Sequence, residues 1–322
     1  EGEWYWNKQD GYLYYKPRQW EDLSTAKITL PKQSELITGK GQIDDNTYNP
    51  IHNIEFKNID LGYTTYYNGY AQHHGLGICQ DALLHRNDYN MPNDMVSGAI
   101  TLENVSYIDF ENCTFKKTGA HGAYILGGVQ HMNINGNQFY DIGADAVQVG
   151  ELNQGERLLT PQDKRYYMAD IHITNNYMHD LAVEMLAAGG MAVTNAQYSE
   201  ISNNEIFRTS YSGIHIGYGF GAAAYGLWAK SSVDHNYIHN PNRTKYNLCD
   251  GGAVYFFGTT YGDMRDAMTD KGRNKISYNY MEDLGTTVNS LYSDESVSWL
   301  EISHNVINYD KKYWTYGVIT TG

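Results

Sequence analysis

Short runs of alternating apolar and polar residues recur along most of the chain. A motif of an apolar residue, two spacers, an asparagine, one spacer and a second apolar residue appears six times, at intervals of 26 to 43 residues. The asparagines are Asn137, Asn176, Asn204, Asn236, Asn279 and Asn305. The runs alternate with a period of two residues and lack the 3.6-residue period of a helix, so they are predicted to be strands.

A second apolar run, opened by small residues, follows each asparagine motif. These runs begin at Gly122, Asp145, Gly190, Gly213 and Gly252. A strand, an asparagine turn, a glycine-rich bend and a second strand, repeated with unequal insertions, are typical of the coils of a parallel β-helix. We therefore predict an all-β fold, a right-handed parallel β-helix (solenoid).

The recurring asparagine has a physical explanation in such a solenoid. Asparagine tolerates the left-handed backbone conformation, so we expect it to adopt that conformation at the same turn of every coil. Its side chains would then stack and hydrogen-bond between neighbouring coils about 4.8 Å apart. Asparagine is also common in turns generally, but six copies at one offset favour a ladder.

The predicted organisation has two parts. Residues 1–50 form an N-terminal hairpin and strand region, in which Asp10-Gly11 marks a hairpin turn and Thr25 to Ile37 reads as one more strand pair. Residues 51–322 form the coils as one continuous domain. Long stretches that interrupt the coil pattern, at 66–98, 151–169 and 259–274, are predicted loop insertions, which in solenoids often gather on the binding face.

Composition narrows the function classes. The chain of 322 residues has a formal net charge of −14, which argues against nucleic acid or an anionic membrane as the main partner. No stretch approaches about 18 consecutive apolar residues, so no membrane span is predicted. Tyrosine is abundant, with 30 residues, and its flat apolar ring with a polar tip suits surfaces that bind sugars.

Three segments carry a resemblance to a known family: Gly2-Glu-Trp-Tyr, Tyr211-Ser-Gly-Ile-His-Ile-Gly and Asp250-Gly-Gly. They resemble right-handed parallel β-helix proteins of bacterial polysaccharide degradation, and within that group the β-helical fucosidase/xylanase glycoside hydrolases. The resemblance implies a secreted, periplasmic or cell-surface enzyme. Its expected activity is hydrolysis of a plant or microbial polysaccharide or oligosaccharide.

Glycoside hydrolysis requires two carboxyl groups flanking one bond. Asp250, before two glycines, is the first candidate, although it also fits a turn cap. Asp294 matches the acidic motif on the family's next coil. Asp294 lies 15 residues after Asn279, and Asp250 lies 14 residues after Asn236, so counting from the asparagines predicts that the two side chains stack on neighbouring coils. Counting from the starts of the second strands instead places the two side chains well apart. Glu184, in an apolar run, is the third candidate, and a salt-bridged or loop-capping role is its alternative.

Six further residues are predicted to bind substrate. His121 and His215 lie near the second strands, where each could orient a sugar hydroxyl or serve a structural role. Three tyrosines are predicted to be walls of a groove or packing residues: Tyr218, Tyr255 and Tyr292. Glu295 belongs to the same turn as Asp294.

No cofactor is expected from the sequence. His73, His74, Asp81 and His85 match no zinc signature, and calcium has no supporting aspartate repeat. Two other functions stay open. The scaffold also hosts polysaccharide lyases and uronate epimerases, and a non-catalytic β-helix could bind glycans through its tyrosines.

Overall fold

The computed structural model describes most of the chain. The described residues are 1–66, 96–150, 163–194, 196–217, 228–241, 250–257, 273–284, 289–294, 297 and 299–308, with the backbone of strands at 83–84, 94–95 and 317–321. The predicted insertions at 66–98, 151–169 and 259–274 lie largely outside these residues.

Thirty strands and one short 3-10 turn, Lys164–Tyr166, make up the described secondary structure. The first strands are β1 (Trp4–Trp6), β2 (Leu13–Tyr15), β3 (Ile37–Lys40), β4 (Gln42–Ile43), β5 (Tyr48–Asn49), β6 (Ile51–Lys57), β7 (Asp60–Gly62), β8 (Leu83–Leu84) and β9 (Asp94–Met95). The next are β10 (Gly98–Glu111), β11 (Thr114–Thr118), β12 (His121–Asn135), β13 (Gln138–Ile142), β14 (Val147–Val149), β15 (Met168–Thr174), β16 (Tyr177–Leu181), β17 (Met191–Val193), β18 (Ala196–Gln197), β19 (Glu200–Ser202) and β20 (Glu205–Thr209). The last are β21 (Ile214–Gly217), β22 (Ser232–Asp234), β23 (Tyr237–His239), β24 (Val254–Phe257), β25 (Asn274–Ser277), β26 (Tyr280–Glu282), β27 (Asn289–Asp294), β28 (Leu300–Ser303), β29 (Val306–Asn308) and β30 (Gly317–Thr321).

Parallel pairing between successive coils builds the main body. One 8-stranded sheet runs from β7 to β29, and one 16-stranded sheet contains two columns that join at the long strands β10 and β12. Each column stacks strands from consecutive coils, as in β14, β17, β21, β24, β27 and β30. The protein is therefore a right-handed parallel β-helix, as the sequence predicts.

A coil contains three strands, where the sequence pattern suggested two. The asparagine motif spans two of them, one before and one after the asparagine, as β19 and β20 flank Asn204. The apolar residues on both sides of the asparagine face one interior, so the motif reads as a single run although the chain bends in its middle.

The predicted asparagine ladder is present. In each coil the Nδ2 and backbone N–H of the asparagine donate to Oδ1 of the next, at 2.9–3.0 Å. Nδ2 also donates to a main-chain carbonyl of the preceding coil, at 2.8–3.0 Å. The first rung is Cys113, whose N–H donates to Asn137 Oδ1. The ladder satisfies polar groups that the turns bury.

The left-handed conformation falls on the residue before each ladder asparagine, so the prediction for the asparagine itself is wrong. Those residues have φ between 51° and 69°, and they are Asn112, Gly136, Asn175, Asn203, His235, Tyr278 and His304. The ladder residue must instead point its amide along the stack of coils, and the preceding residue makes the reversal. Asparagine and glycine suit that position because they tolerate positive φ.

Asn204→Leu is expected to lower the free energy of unfolding by about 2–4 kcal/mol, because it leaves buried polar groups of two neighbouring coils unpaired. Asn204 Oδ1 accepts from the N–H and Nδ2 of Asn176, and its Nδ2 donates to Ile173 O and Asn236 Oδ1. Urea unfolding measures the change. Asn133→Leu, an exposed asparagine on β12, is the control and should stay within about 0.5 kcal/mol of wild type. Equal stability of the two variants would contradict a structural ladder.

The interior of the β-helix is a continuous apolar core. It is lined by aliphatic side chains from every column, and like residues stack at matching positions. Phe56 stacks on Phe110 at 4.8 Å and Phe115 stacks on Phe139 at 4.5 Å between ring centroids. Alternate residues of the strands that contribute to this core face away from it.

The chain divides into two compact units, Glu1–Pro31 and Lys32–Gly322. In the first, β1 and β2 form the predicted antiparallel hairpin, and Gly11 has the positive φ of its turn. The predicted strand pair from Thr25 to Ile37 is wrong, because strand structure starts only at Ile37. Ile28 and Leu30, within this segment, are largely exposed. Within the described residues, no helix has the length and apolar character that crossing a membrane requires.

Candidate active site

A single row of side chains crosses the outer face of the second-strand column. The residues between core positions lie in register from coil to coil, and we call them the outward row: Tyr124, Gln148, Ala192, His215, Tyr255 and Tyr292. Three of the predicted substrate-binding residues therefore share one face. Tyr218 and Glu295 lie outside the described residues.

Tyr255 ties the outward row to Asp294. Its hydroxyl donates a hydrogen bond of 2.8 Å to Oδ2 of Asp294, and its side chain is fully buried. Its ring stacks on Tyr292 at 4.7 Å and meets His215 edge-on at 5.8 Å. Burial and the Asp294 carboxylate strongly raise the pKa of Tyr255, so this phenol stays neutral and acts as a hydrogen-bond donor. The Asp294 carboxylate is thereby held in a fixed orientation.

Asp250 sits on a sharp turn that only a few residue types accept. Asp250 has φ of 65° and Gly251 has φ of 89°, both in the left-handed region. A Cβ at Gly251 would lie 2.9 Å from the ring of Tyr211, and the N–H of Gly252 donates to Ser212 Oγ at 3.1 Å. The turn therefore packs directly on the preceding coil. Tyr211 was not identified as a site residue from the sequence, although it begins the motif that carries the family resemblance.

The two carboxyl groups interact electrostatically. Burial is the main cause that raises the pKa of Asp250 above its usual range, and the negative charge of Asp294 adds to it. A hydrogen bond from Tyr292 to Asp250 opposes this shift. Burial and both carboxylates raise the pKa of Tyr292 to about 12, so its hydroxyl is also a neutral donor. We call Asp250 and Asp294 the acid pair.

Strand register decides between the two sequence-based counts for the acid pair. Asp294 pairs with Phe257, which lies seven residues beyond Asp250. The stacking predicted from the asparagine ladder is therefore wrong. The count from the strand starts, which places the two residues well apart, is right for the backbone. The side chains nevertheless interact, because Asp250 lies on the turn before β24 and Tyr292 interacts with both carboxyls. Backbone spacing alone is a poor guide at such a turn.

His215 is buried beside the acid pair. Its ring meets Tyr211 at 5.3 Å and Tyr255 at 5.8 Å, both edge-on. Burial lowers the pKa of His215 to about 3, because the charged imidazolium would lose its hydration. The imidazole is therefore neutral at working pH, and it suits a positioning role better than that of a cationic proton donor.

This burial predicts a specific pH dependence of stability. Between pH 3 and about 6.5 the unfolded chain binds a proton at this histidine and the folded protein does not, so stability falls as the pH falls below about 6.5. His215→Gln should remove up to about 1.4 kcal/mol of that loss per pH unit. Urea unfolding at pH 7, 6 and 5 measures the slope. His52→Gln, at an exposed position, is the control; equal slopes for all three proteins would contradict the burial of a neutral His215.

Glu184 is placed apart from the acid pair. It lies in the loop after β16, where its N–H donates to Gly143 O at 3.1 Å. Desolvation by neighbouring protein atoms and the charge of Asp141 raise the pKa of its carboxyl, although the residue as a whole is exposed. Its loop precedes β17, two strand positions from β24, which corresponds to roughly 10 Å. The raised pKa expected from the sequence is present, but the charge next to Glu184 is Asp141 rather than Asp250.

His121 also lies away from the acid pair. It starts β12, which is four strand positions from β24 along the column, or roughly 19 Å. Its Nδ1 is 3.2 Å from Oδ2 of Asp145, and both side chains are fully buried. The structure thus groups His121 with Asp145, a residue that the sequence reading treated only as the start of a strand.

The described residues contain no group of three or more His, Cys, Asp or Glu side chains able to hold a metal ion. The cluster His73, His74, Asp81 and His85 lies outside the described residues. The residues around the acid pair offer hydrogen-bonding and proton-transfer groups: two carboxyl groups, two tyrosine hydroxyls and a neutral imidazole.

Comparisons with known proteins agree with the fold. The family model for the right handed beta helix region matches residues 98–222. A solved structure named "Glycoside hydrolase" is similar over 99% of this chain, with 22% sequence identity and a TM-score of 0.79, and the match covers 55% of that chain. The crystal structure of PfbA, a surface adhesin of Streptococcus pneumoniae, matches over 91% of this chain and 76% of its own, with 11% identity and a TM-score of 0.44. No curated protein matches the chain.

Proposed function

We propose that the protein is a glycoside hydrolase that cleaves a plant or microbial polysaccharide at the acid pair. The observation that carries the proposal is the interaction of Asp250 and Asp294 on one binding face, with the pKa of Asp250 raised. A carboxyl that holds its proton beside a second carboxyl is what acid-assisted cleavage of a glycosidic bond requires. The glycoside hydrolase of similar fold supports the same class of reaction, and this chain spans about 55% of its length.

The environments of the two carboxyls assign their roles. Asp250, desolvated and next to a negative charge, holds its proton longer and serves as the general acid that protonates the leaving oxygen. Asp294 accepts a hydrogen bond from Tyr255, an arrangement that stabilises a carboxylate charge, so it serves as the nucleophile or as the base for a water molecule. When Asp294 is the nucleophile, Asp250, by then a carboxylate, takes a proton from the water that hydrolyses the glycosyl–Asp294 bond in a second half-reaction.

The substrate class follows from the face and from the family resemblance. Tyr292, which is partly exposed, offers a ring and a hydroxyl that suit the flat faces and hydroxyl groups of sugars. The net charge of −14 disfavours polyuronates, so neutral glycans such as xylan or fucosylated plant polysaccharides are the first choice. Polymers of this kind lie outside cells, and we therefore propose a bacterial protein that acts in a secreted, periplasmic or cell-surface location.

Screening against glycans tests the proposal. Xylan, fucosylated pectic and xyloglucan fractions and a polyuronate are incubated with the protein, and new reducing ends and ultraviolet absorbance are followed together. A hydrolase releases reducing ends from a neutral glycan without new absorbance. Absorbance from an unsaturated sugar would indicate a lyase, and retention on glycan gels without any cleavage would indicate a binding protein; either result would overturn the proposal.

A further inference from the structure

A second cluster of polar side chains lies toward the N-terminal coils, where the outward row meets the starts of β12 and β14. We call it the upstream cluster: His121, Tyr124, Asp145 and Gln148. Tyr124 and Gln148 are register partners in the outward row, and the rings of His121 and Tyr124 are 5.7 Å apart. All four side chains are buried, with exposed fractions of 6% or less.

Hydrogen bonds fix one end of each of three side chains in this cluster. The N–H of Asp145 donates to His121 Nδ1 at 3.3 Å, and the N–H of Gly189 donates to Asp145 Oδ1 at 2.7 Å. Nε2 of Gln148 donates to Gly150 O at 2.9 Å. The rotamers are thus held by the backbone, as in a preformed binding site.

The other ends of all three side chains lack a hydrogen bond among the described residues, and Asp145 Oδ2 is one of these atoms. Within the described part of the chain, His121 Nε2 and Gln148 Oε1 have no hydrogen-bond partner, although both are buried. The backbone N–H of Asp145 favours a hydrogen on His121 Nε2, whereas Asp145 Oδ2, 3.2 Å from Nδ1, favours one on Nδ1, so Nε2 donates or accepts according to the tautomer, while Gln148 Oε1 is an acceptor. An unpaired buried polar atom costs about 1–3 kcal/mol, so such a pair calls for a polar ligand or water.

Sugar hydroxyls match this pair. A hydroxyl both donates and accepts, so one hydroxyl or two neighbouring ones can satisfy the imidazole Nε2, in either tautomer, and the amide oxygen together. Strand β14, which carries Gln148, is three positions from β24, or roughly 14 Å. Ala192 occupies the outward row between Gln148 and His215, so a small side chain separates the upstream cluster from the acid-pair region.

We propose that the upstream cluster is a second sugar-binding subsite, and that the substrate is a glycan chain long enough to reach it from the acid pair. The inference rests on the proposed function for the identity of the ligand, and it adds that the protein recognises an oligosaccharide rather than only a terminal sugar. Longer chains then bind more tightly, because they gain hydrogen bonds at His121 and Gln148.

Nitrogen NMR of the histidine side chains tests the proposal without relying on hydrolysis. The probes are size-fractionated oligosaccharides from partial hydrolysates of xylan and of fucosylated pectin, as a short pool of disaccharides and a long pool of hexasaccharides and above. They are added to 15N-histidine-labelled Asp250→Asn protein. His215 reports on the acid-pair region and His121 on the upstream cluster; we expect the long pools to shift both resonances and the short pools to shift only His215.

The outcomes separate this inference from the proposed function. Long pools that shift His215 but not His121 would overturn the second subsite and leave the acid-pair site standing, with ordered water as the partner of the upstream cluster. A shift of His121 without His215 would support the subsite and contradict glycan binding at the acid pair. If neither resonance moves with any pool, both proposals fail.

Calorimetry on a matched pair of variants supplies the second readout. Gln148→Met keeps the side-chain length and removes the acceptor, so the ratio of long-pool to short-pool affinity should fall about tenfold, or about 1.4 kcal/mol. Gln138→Met, at an exposed position on β13, should keep the wild-type ratio. Melting temperatures confirm that both variants are folded, and an unchanged ratio in folded Gln148→Met would overturn the subsite.

Discussion

Asp250→Asn is expected to remove hydrolytic activity by at least about a thousandfold, or about 4 kcal/mol of barrier, while the protein stays folded. The amide has almost the same shape as the carboxyl group but cannot transfer a proton to the leaving oxygen. The loss should be smallest for aryl glycosides whose leaving groups depart without protonation. Initial rates on the polysaccharide and on such a glycoside measure both effects.

Asparagine is chosen at position 250 so that the variant keeps the wild-type fold. Asp250 has φ of 65°, a conformation that asparagine tolerates and that alanine adopts at a cost of about 1–2 kcal/mol. The pKa of Asp250 is raised in the folded state, so its stabilising contribution is present at low pH and is lost as the pH rises through that value. At neutral pH the variant should therefore melt at the wild-type temperature or above it. A folded variant with more than about a tenth of wild-type activity would contradict the assignment, and a destabilised one would indicate a turn-capping role.

Asp294→Asn is expected to cost a similar factor in rate, with a different signature. The variant loses the carboxylate that attacks the sugar or activates water, so a good leaving group gives no recovery. Added azide, a small strong nucleophile, should restore part of the turnover by replacing that carboxylate. The introduced amide still has an oxygen that accepts the hydrogen bond from the Tyr255 hydroxyl, so the local packing is retained.

Asp109→Asn, on the surface of β10, is the control for both carboxyl variants. It removes one negative charge from the outside of the β-helix, and its rate should match that of wild type. Activity of Asp294→Asn within tenfold of wild type would contradict the division of roles within the acid pair.

Much of the fold was predictable because its repeat is carried by one residue type. A ladder asparagine bonds to the same residue type in the next coil, so the sequence shows it directly, as at Asn176, Asn204 and Asn236. Two details of the coil could not be predicted from the sequence. The pattern does not show which of two adjacent residues, such as Asn203 and Asn204, makes the reversal, and an apolar run with a bend in it looks like one strand.

The candidate site was predictable only in part. Asp250 and Asp294 follow from a motif, and the outward row follows from period-two alternation. The contacts that join them do not: Tyr255 meets Asp294 because β24 pairs with β27 in a particular register. His121 and Glu184 were candidates for the same face as Asp250, and strand pairing places them four and two strand positions from β24. Asp145 and Gln148 were visible only as members of a strand.

The most direct test of the account is a carboxyl 13C NMR titration of Asp250 in the wild-type protein, in Asp294→Asn and in Asp109→Asn. It needs no substrate. The account predicts a midpoint for Asp250 above the usual value of about 3.9, a clear fall of that midpoint in Asp294→Asn, and no change in Asp109→Asn. An ordinary midpoint that Asp294→Asn leaves unchanged would show that the two carboxyls do not share a site.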